Sequence, residues 1–336
     1  MTVLAVVLAL GAAMVFGVAA VNQHHGVRRT LDHHREQHGS RRRHRQLRVG
    51  HIATLVADAG WRRGFLLMTL GTACHIAALS LAPISLTQPI NVLAVPTTIL
   101  AGALLAHRRP AGRMLLAAGA VVVGVGSFVV LLSGSSAGDI PTPGLLGWIG
   151  AAVLIITVGL HLIARRLLHA AHHGPSWLAP VLLSVAGALC FGTTSSTFRL
   201  LAQDVSHAQP LPIAVLIALV CYVPVGLVAG AWSIQQAYAA GAAPAVTATS
   251  ALTDPVVALV IGMAVLGETP DLAEWQLVTL VAAAALAVVG VSYLTRHDDE
   301  VDPGRADPAP VVRSQDHRRP LLLQQIGTTH AHPARR

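Results

Sequence analysis

The chain contains no lysine. Its 23 basic residues are all arginine, they stand against 15 acids, and charged side chains make up only 11% of 336 residues. Beside 54% hydrophobic residues, so little charge argues against a single water-soluble core. Cysteine is scarce as well. Cys74, Cys190 and Cys221 all lie in apolar segments at no metal-ligand spacing, which argues against a disulfide framework or a cysteine metal site. There is no HExxH, no cofactor-binding motif and no pair of aspartates on adjacent apolar segments. The hydroxyl-rich SGSS at 133 to 136 has no evident base beside it, so an enzyme is not expected.

Apolar runs of about 20 residues, the length that crosses the hydrocarbon core as a helix, are what the chain has in quantity. They are read at residues 2 to 22, 64 to 83, 87 to 106, 114 to 133, 145 to 164, 177 to 202, 211 to 240, 243 to 266 and 275 to 294. The first run follows no charged n-region, so it is taken as a span and not as a cleaved signal peptide. The expected fold is an all-α integral membrane protein of about nine transmembrane helices.

Arginine placement orients it, because cytoplasmic loops retain positive charge. With the N-terminus outside, the stretch from 23 to 63 holds ten arginines, 107 to 113 three, 165 to 176 two and the tail from 296 seven, leaving only Arg199 on the other side. The segments expected outside carry Asp139, Asp204, Glu268, Asp271 and Glu274. Trp61, Trp148, Trp177 and Trp275 fall near span ends, as interfacial anchors do. The expectation is a multi-pass protein of a bacterial plasma (inner) membrane with its C-terminus in the cytoplasm.

Two stretches repeat one plan. AALSLAPISLTQPINVLAVPTTILAGALLAHRRP (77 to 110) and AYAAGAAPAVTATSALTDPVVALVIGMAVLGETP (237 to 270) each end one helix in Ala-Pro, then begin an apolar helix interrupted by proline. Upstream, LAVVLALGAAMVFGVAAV resembles APVLLSVAGALCFGTTSSTF. Residues 1–133 and 177–295 are thus read as two four-span repeats, with 134–176 as a linker helix and loops and 296–336 as a disordered cytoplasmic tail. An offset of five spans makes the copies inverted, the arrangement suited to alternating access around a midplane site.

These proline, glycine and small-residue patterns, together with GFLLMTLGTACHIAALSLAP, resemble the drug/metabolite transporter superfamily. Within it the chain is similar to EamA-like permeases of actinobacterial type and to NIPA-type magnesium transporters. The resemblance covers about residues 1 to 295 and implies movement of a small solute across the membrane. EamA-type members have ten helices as five plus five, whereas nine are counted here, the NIPA-like number. The first-copy counterpart of Gly267-Glu268 reads AHRRP, without the glutamate.

Candidate transport residues follow from polarity inside the spans. Asp254, before Pro255, reads either as an N-cap of a half-helix after a break or as a mid-membrane carboxylate that exchanges a proton or cation. His75 aligns with Gln236 when Pro83 is set on Pro244; it reads either as facing Gln236 across the pseudo-twofold axis and titrating there or, the favoured reading, as a histidine satisfied by a neighbouring backbone carbonyl. Gln235, Gln236 and Tyr238, with Trp232 a turn earlier, make the most polar face in the bundle. Gln88 and Asn91 flank Pro89, while GTTSSTFR puts hydroxyls and Arg199 in the outer half of the sixth span. The hydroxyls are expected to bond to their own i−4 carbonyls. Arg199 either snorkels to headgroups or neutralises Asp254 or an anionic substrate.

Seven histidines lie from His24 to His51, but neighbouring arginines repel a cation; the stretch 23–63 is read as a basic loop on anionic lipid headgroups. No metal site is assigned, and nucleic acid is not an expected partner. Gly119, Gly124 and Gly126 are read as close helix packing. The leading expectation is a transporter of a small organic solute, metabolite or drug-like, with proton coupling one option. A divalent-cation pathway, a flippase of lipid-linked intermediates and a scaffold remain open, as do substrate, direction and oligomeric state, a homodimer included.

Overall fold

The computed structural model describes residues 2–37, 46–107, 109–110, 112–132, 143–170, 178–204, 211–265 and 273–296. These residues form eleven α-helices and two 3-10 turns, with no strand among them. In order they are α1 (Thr2–Gln37), a turn at Val49–His51, α2 (Ile52–Ala57), α3 (Ala59–Leu81), α4 (Ile84–Thr87), a turn at Pro89–Leu93, α5 (Ala94–Leu105), α6 (Gly112–Leu132), α7 (Pro143–Ala170), α8 (Leu178–Asp204), α9 (Ile213–Ala240), α10 (Ala243–Val265) and α11 (Glu274–Arg296). Eight helical segments are long and apolar enough to cross a membrane, with α4 through α5 counting as one; the apolar stretch of α6, Gly112–Ser127, is shorter. The chain is therefore an all-α protein of multi-pass membrane type. Trp148 and Trp275, 79% and 65% exposed, stand near the starts of α7 and α11, as anchors would; Trp177 lies outside the described residues.

Proline writes the corners. Pro83 forces Ala82 into extended backbone (φ −148, ψ 158), which ends α3 and turns the chain into α4. Pro89 and Pro96 then each remove one helical N–H, and between them the backbone tightens into a 3-10 turn. The second copy behaves differently. Gly241 turns the chain between α9 and α10, but α10 runs unbroken through Pro255. The interruption expected there is absent, because one proline eleven positions after Pro244 costs the helix a single hydrogen bond.

The helices pack through matching contacts in the two halves. A Cβ on Gly71 of α3 would lie 2.7 Å from the Phe16 ring of α1, and one on Gly230 of α9 would lie 2.7 Å from the Phe191 ring of α8. The glycine after each phenylalanine meets the third helix. Gly17 seats against the Ala94 carbonyl and Thr97, and Gly192 against the Asp254 carbonyl and Val257. At Gly17 a Cβ would fall 2.6 Å from Thr97 Cβ, so glycine is required there; at Gly192 it would fall 3.0 Å from Val257 Cβ, a tight fit. This register equates Asp254 with Ala94, one residue from the Val95 that proline spacing suggests.

Direction follows from the same contacts. Gly26 meets Trp61 while Gly71 meets Phe16, so α1 and α3 are antiparallel; Gly187 meets Ile234 while Gly241 meets Pro180, so α8 and α9 are too. Gln23 bonds Gln235 and Arg28 bonds Gly241, which sets α1 parallel to α9. Helices α1 and α8, in matching places, thus point in opposite directions. Helices α6 and α11 close the bundle with a reciprocal pair: Gly124 against Ala283 and Ala287, Gly290 against Ala117 and Val121. Gly119 and Gly126 have open space around them, so of the three glycines only Gly124 packs closely.

Candidate functional site

The polar side chains inside the bundle fall into two clusters and one isolated acid. The first cluster lies where α1, α3 and α9 meet. Gln235 Nε2 donates to Gln23 Oε1 at 2.6 Å and its Oε1 accepts from Trp61 Nε1 at 3.2 Å. Beside it, Gln236 pairs with one backbone unit: its Nε2 donates to the Leu47 carbonyl at 2.8 Å, and its Oε1 accepts from Leu47 N–H at 3.0 Å. Tyr238 is buried edge-on to His24, with ring centroids 5.9 Å apart, and Trp232 packs against the same apolar cluster.

This cluster recasts the stretch read as a solvated loop. Residues 23–37 continue α1, whose 36 residues span about 54 Å, well beyond a ~30 Å hydrocarbon core. Residues 46–57 then fold back, burying Leu47 and Leu55 against Val27 and Leu31 of α1 and the ends of α8, α9 and α10. The strap is held further by His34 stacked on His51 at 4.2 Å, by Asp58 accepting from Trp61 N–H at 2.7 Å, and by Asp58 paired with Arg29 at 3.1 Å. The cause is visible in retrospect: Val27 and Leu31, at i and i+4 among arginines and histidines, give the extension an apolar stripe.

The second cluster lies near the α3–α4 corner. Gln88 Nε2 stands 3.5 Å from His75 Nε2, and Gln88 Oε1 accepts from Asn91 Nδ2 at 3.1 Å; all three side chains are buried. His75 and Gln236 therefore do not face each other. Each belongs to its own cluster, His75 with Gln88 near the α3–α4 corner and Gln236 with Leu47 near the end of α9. Arg199 reaches this corner from α8. It is 7% exposed and donates from Nη1 to the Leu79 carbonyl at 2.9 Å. That carbonyl is available because its helical donor would be the N–H of residue 83, which is proline. Arg199 thus neither snorkels outward nor forms an ion pair with Asp254, the Arg29–Asp58 pair being the one ion pair among the described residues.

Asp254 is the twelfth of the 23 residues of α10, about 17 Å from either end at 1.5 Å per residue. At ~100° per residue it shares an arc with Ala243, Ala258, Ile261 and Val265, the buried core of the helix face. Asp254 itself is only partly buried. Its Oδ1 is shielded and has no hydrogen-bond partner. It caps nothing, because the helix does not restart at Pro255.

The hydroxyl run behaves as expected. Thr193, Thr194, Ser196 and Thr197 each donate to their own i−4 carbonyl at 2.7 to 3.0 Å. Sequence reasoning passed over Gln23 and Leu47, which complete the first cluster, and over His161, whose Nε2 lies 2.8 Å from Ser233 Oγ and ties α7 to α9. Gln23 carried a signal, being the amide next to the last apolar residues of the first span; Leu47 carried none, since it acts through its backbone. Glu268, Asp271, Asp139 and the SGSS segment lie outside the described residues. Against this geometry, comparison with protein-family models, curated proteins and solved structures found no match.

Proposed function

We propose that the chain is a transporter of the drug/metabolite transporter type that moves a small organic solute across a bacterial plasma membrane by alternating access. In this reading residues 1–133 and 177–295 are inverted copies joined by the 134–176 linker, with the N-terminus outside. The observation that carries it is the recurrence of one packing device, Phe16 on Gly71 beside Gly17 on Ala94 and Phe191 on Gly230 beside Gly192 on Asp254, in halves that run in opposite directions. Two such halves offer the same surface to opposite faces, which is what alternating access requires.

In this reading the solute path runs beside Asp254, partly buried at mid-helix. Its ends are closed by unlike means: at one, Arg199 holds the α3–α4 corner; at the other, Gln236 holds the strap. Opening either end costs the hydrogen bonds there, so the two closures set which face opens more readily. The divalent-cation reading has one deep carboxylate to rest on among the described residues, too few for a doubly charged ion that prefers several oxygens.

The test is reconstitution of the full chain in vesicles with a screen of labelled metabolites, comparing the protein with Asp254→Asn. Solute movement lost in the variant supports the reading. No movement of any solute by a folded protein, across a broad screen, sinks it.

A further inference from the structure

Hydroxyl groups in this bundle almost always satisfy themselves on their own helix. Besides the α8 run, Thr97, Thr98, Ser184, Ser233 and Thr249 donate to i−4 carbonyls. At Ser250 of α10 the habit breaks. Ser250 is one turn before Asp254 on the same arc of the helix, and its Oγ, like Asp254 Oδ1, is shielded from solvent with no partner. Between them Ala251 presents a carbonyl that α10 does not use, because its helical donor would be the N–H of residue 255, which is proline. A helical side chain leans toward the N-terminus of its helix, so the Asp254 carboxylate overhangs the 250–251 turn. A hydroxyl, a carbonyl and a carboxylate thus lie within one turn of α10, midway along its length.

We propose that Ser250, Ala251 and Asp254 form a binding site for a small alkali cation, of which sodium is the type. The donor set is all oxygen, the preference of a hard cation. Its charge selects the valence: one carboxylate with two neutral oxygens is neutralised by a single positive charge, whereas a divalent ion would leave a net charge inside an apolar bundle, where charge is disfavoured. A helix disturbed by proline at mid-depth supplies the free carbonyl, as discontinuous helices do around coupling ions. The first copy carries Ala94 where Asp254 stands, so the site exists once and its occupancy biases one half of the molecule only. Sodium would thus be the coupling ion of the proposed transport, and the inference rests on the transporter reading for that consequence alone.

The experiment is thermal unfolding of the purified full chain in detergent, in choline chloride exchanged stepwise for NaCl, LiCl or KCl at constant ionic strength and pH. A saturable rise in Tm with sodium is expected. Asp254→Asn should remove the sodium-dependent part, and Ser250→Ala should raise the half-saturating concentration about tenfold. If Asp254→Asn does not fold, Ser250→Ala and the line width of the ²³Na resonance over unaltered protein, reversed by excess lithium, read the same site. A Tm indifferent to all three salts, a sodium effect intact in Asp254→Asn, or a dependence on pH alone, meaning a proton only, overturns the proposal. Because this reads binding and not transport, a sodium shift in a protein that moves no solute would leave the site standing and remove the transporter reading.

Discussion

The segments Ile84–Leu105 and Ala243–Val265 occupy matching places, each seated on a glycine of its own half, and they solve the same problem differently. The first breaks its backbone into helix, 3-10 turn and helix, and fills the surroundings with amides: Gln88 and Asn91 bond each other, and His75 stands beside them. The second keeps its helix whole and leaves Ser250 Oγ and Asp254 Oδ1 without protein partners. In the first the amides bond each other while His75 Nδ1 and Asn91 Oδ1 stay without a partner; in the second neither Ser250 Oγ nor Asp254 Oδ1 finds one. Similar packing thus fixes where the backbone goes and leaves the chemistry free to diverge.

The largest effect should come from destroying what the two halves share. Gly17→Leu and Gly192→Leu each force a side chain into a neighbouring backbone, at a cost of roughly 3 kcal/mol or more. Both should lose the monodisperse peak in size-exclusion chromatography, and a tolerated Gly192→Leu beside a lethal Gly17→Leu would break the equivalence. Next is Ala94→Asp, which gives the first copy the acid of the second at a buried position. It should cost about 2–3 kcal/mol, read as a lower Tm in detergent. Were Ala94→Asp neutral, the difference in burial between Ala94 and the partly buried Asp254 would not be what separates the two positions.

Smaller still is Gln236→Leu. It removes both bonds to Leu47 while the strap keeps its apolar contacts, a loss of about 1–3 kcal/mol that should appear as faster proteolysis within residues 46–57 at unchanged helix content. The smallest is Thr197→Val. Its hydroxyl serves a carbonyl of its own helix, so the change in Tm should correspond to less than about 0.5 kcal/mol. A large effect there would mean that the hydroxyl run faces solute after all.

Much of this architecture is legible along the chain because membrane helices must satisfy their own backbone, which makes apolar length and proline position strong signals. The helices that formed begin and end within a few residues of the nine runs at most boundaries, and the corner at Pro83 is where proline puts it. The exception is α1, whose polar extension obeys tertiary packing and not lipid. What stayed hidden is what depends on a distant partner. Arg199 reads as an anomaly until Pro83, far away in sequence, is seen to leave the Leu79 carbonyl without a donor. Leu47 could not be singled out, since Gln236 grips its backbone, which every residue has. Asp254-Pro255 looks like a capped break, and only the continuity of α10 shows that one proline is not enough to make one.

The contact between α6 and α11 maps onto itself, Gly124 on Ala283 and Gly290 on Ala117, and it joins residues about 160 positions apart. During synthesis at 5–20 residues per second, α6 therefore waits roughly 8–30 s for the helix that fits its glycine face. Through that interval the glycine face has no α11 to pack against. A nascent chain arrested before α11 should leave position 124 open to a membrane-soluble crosslinker, and protection there before α11 is made would show that another helix stands in.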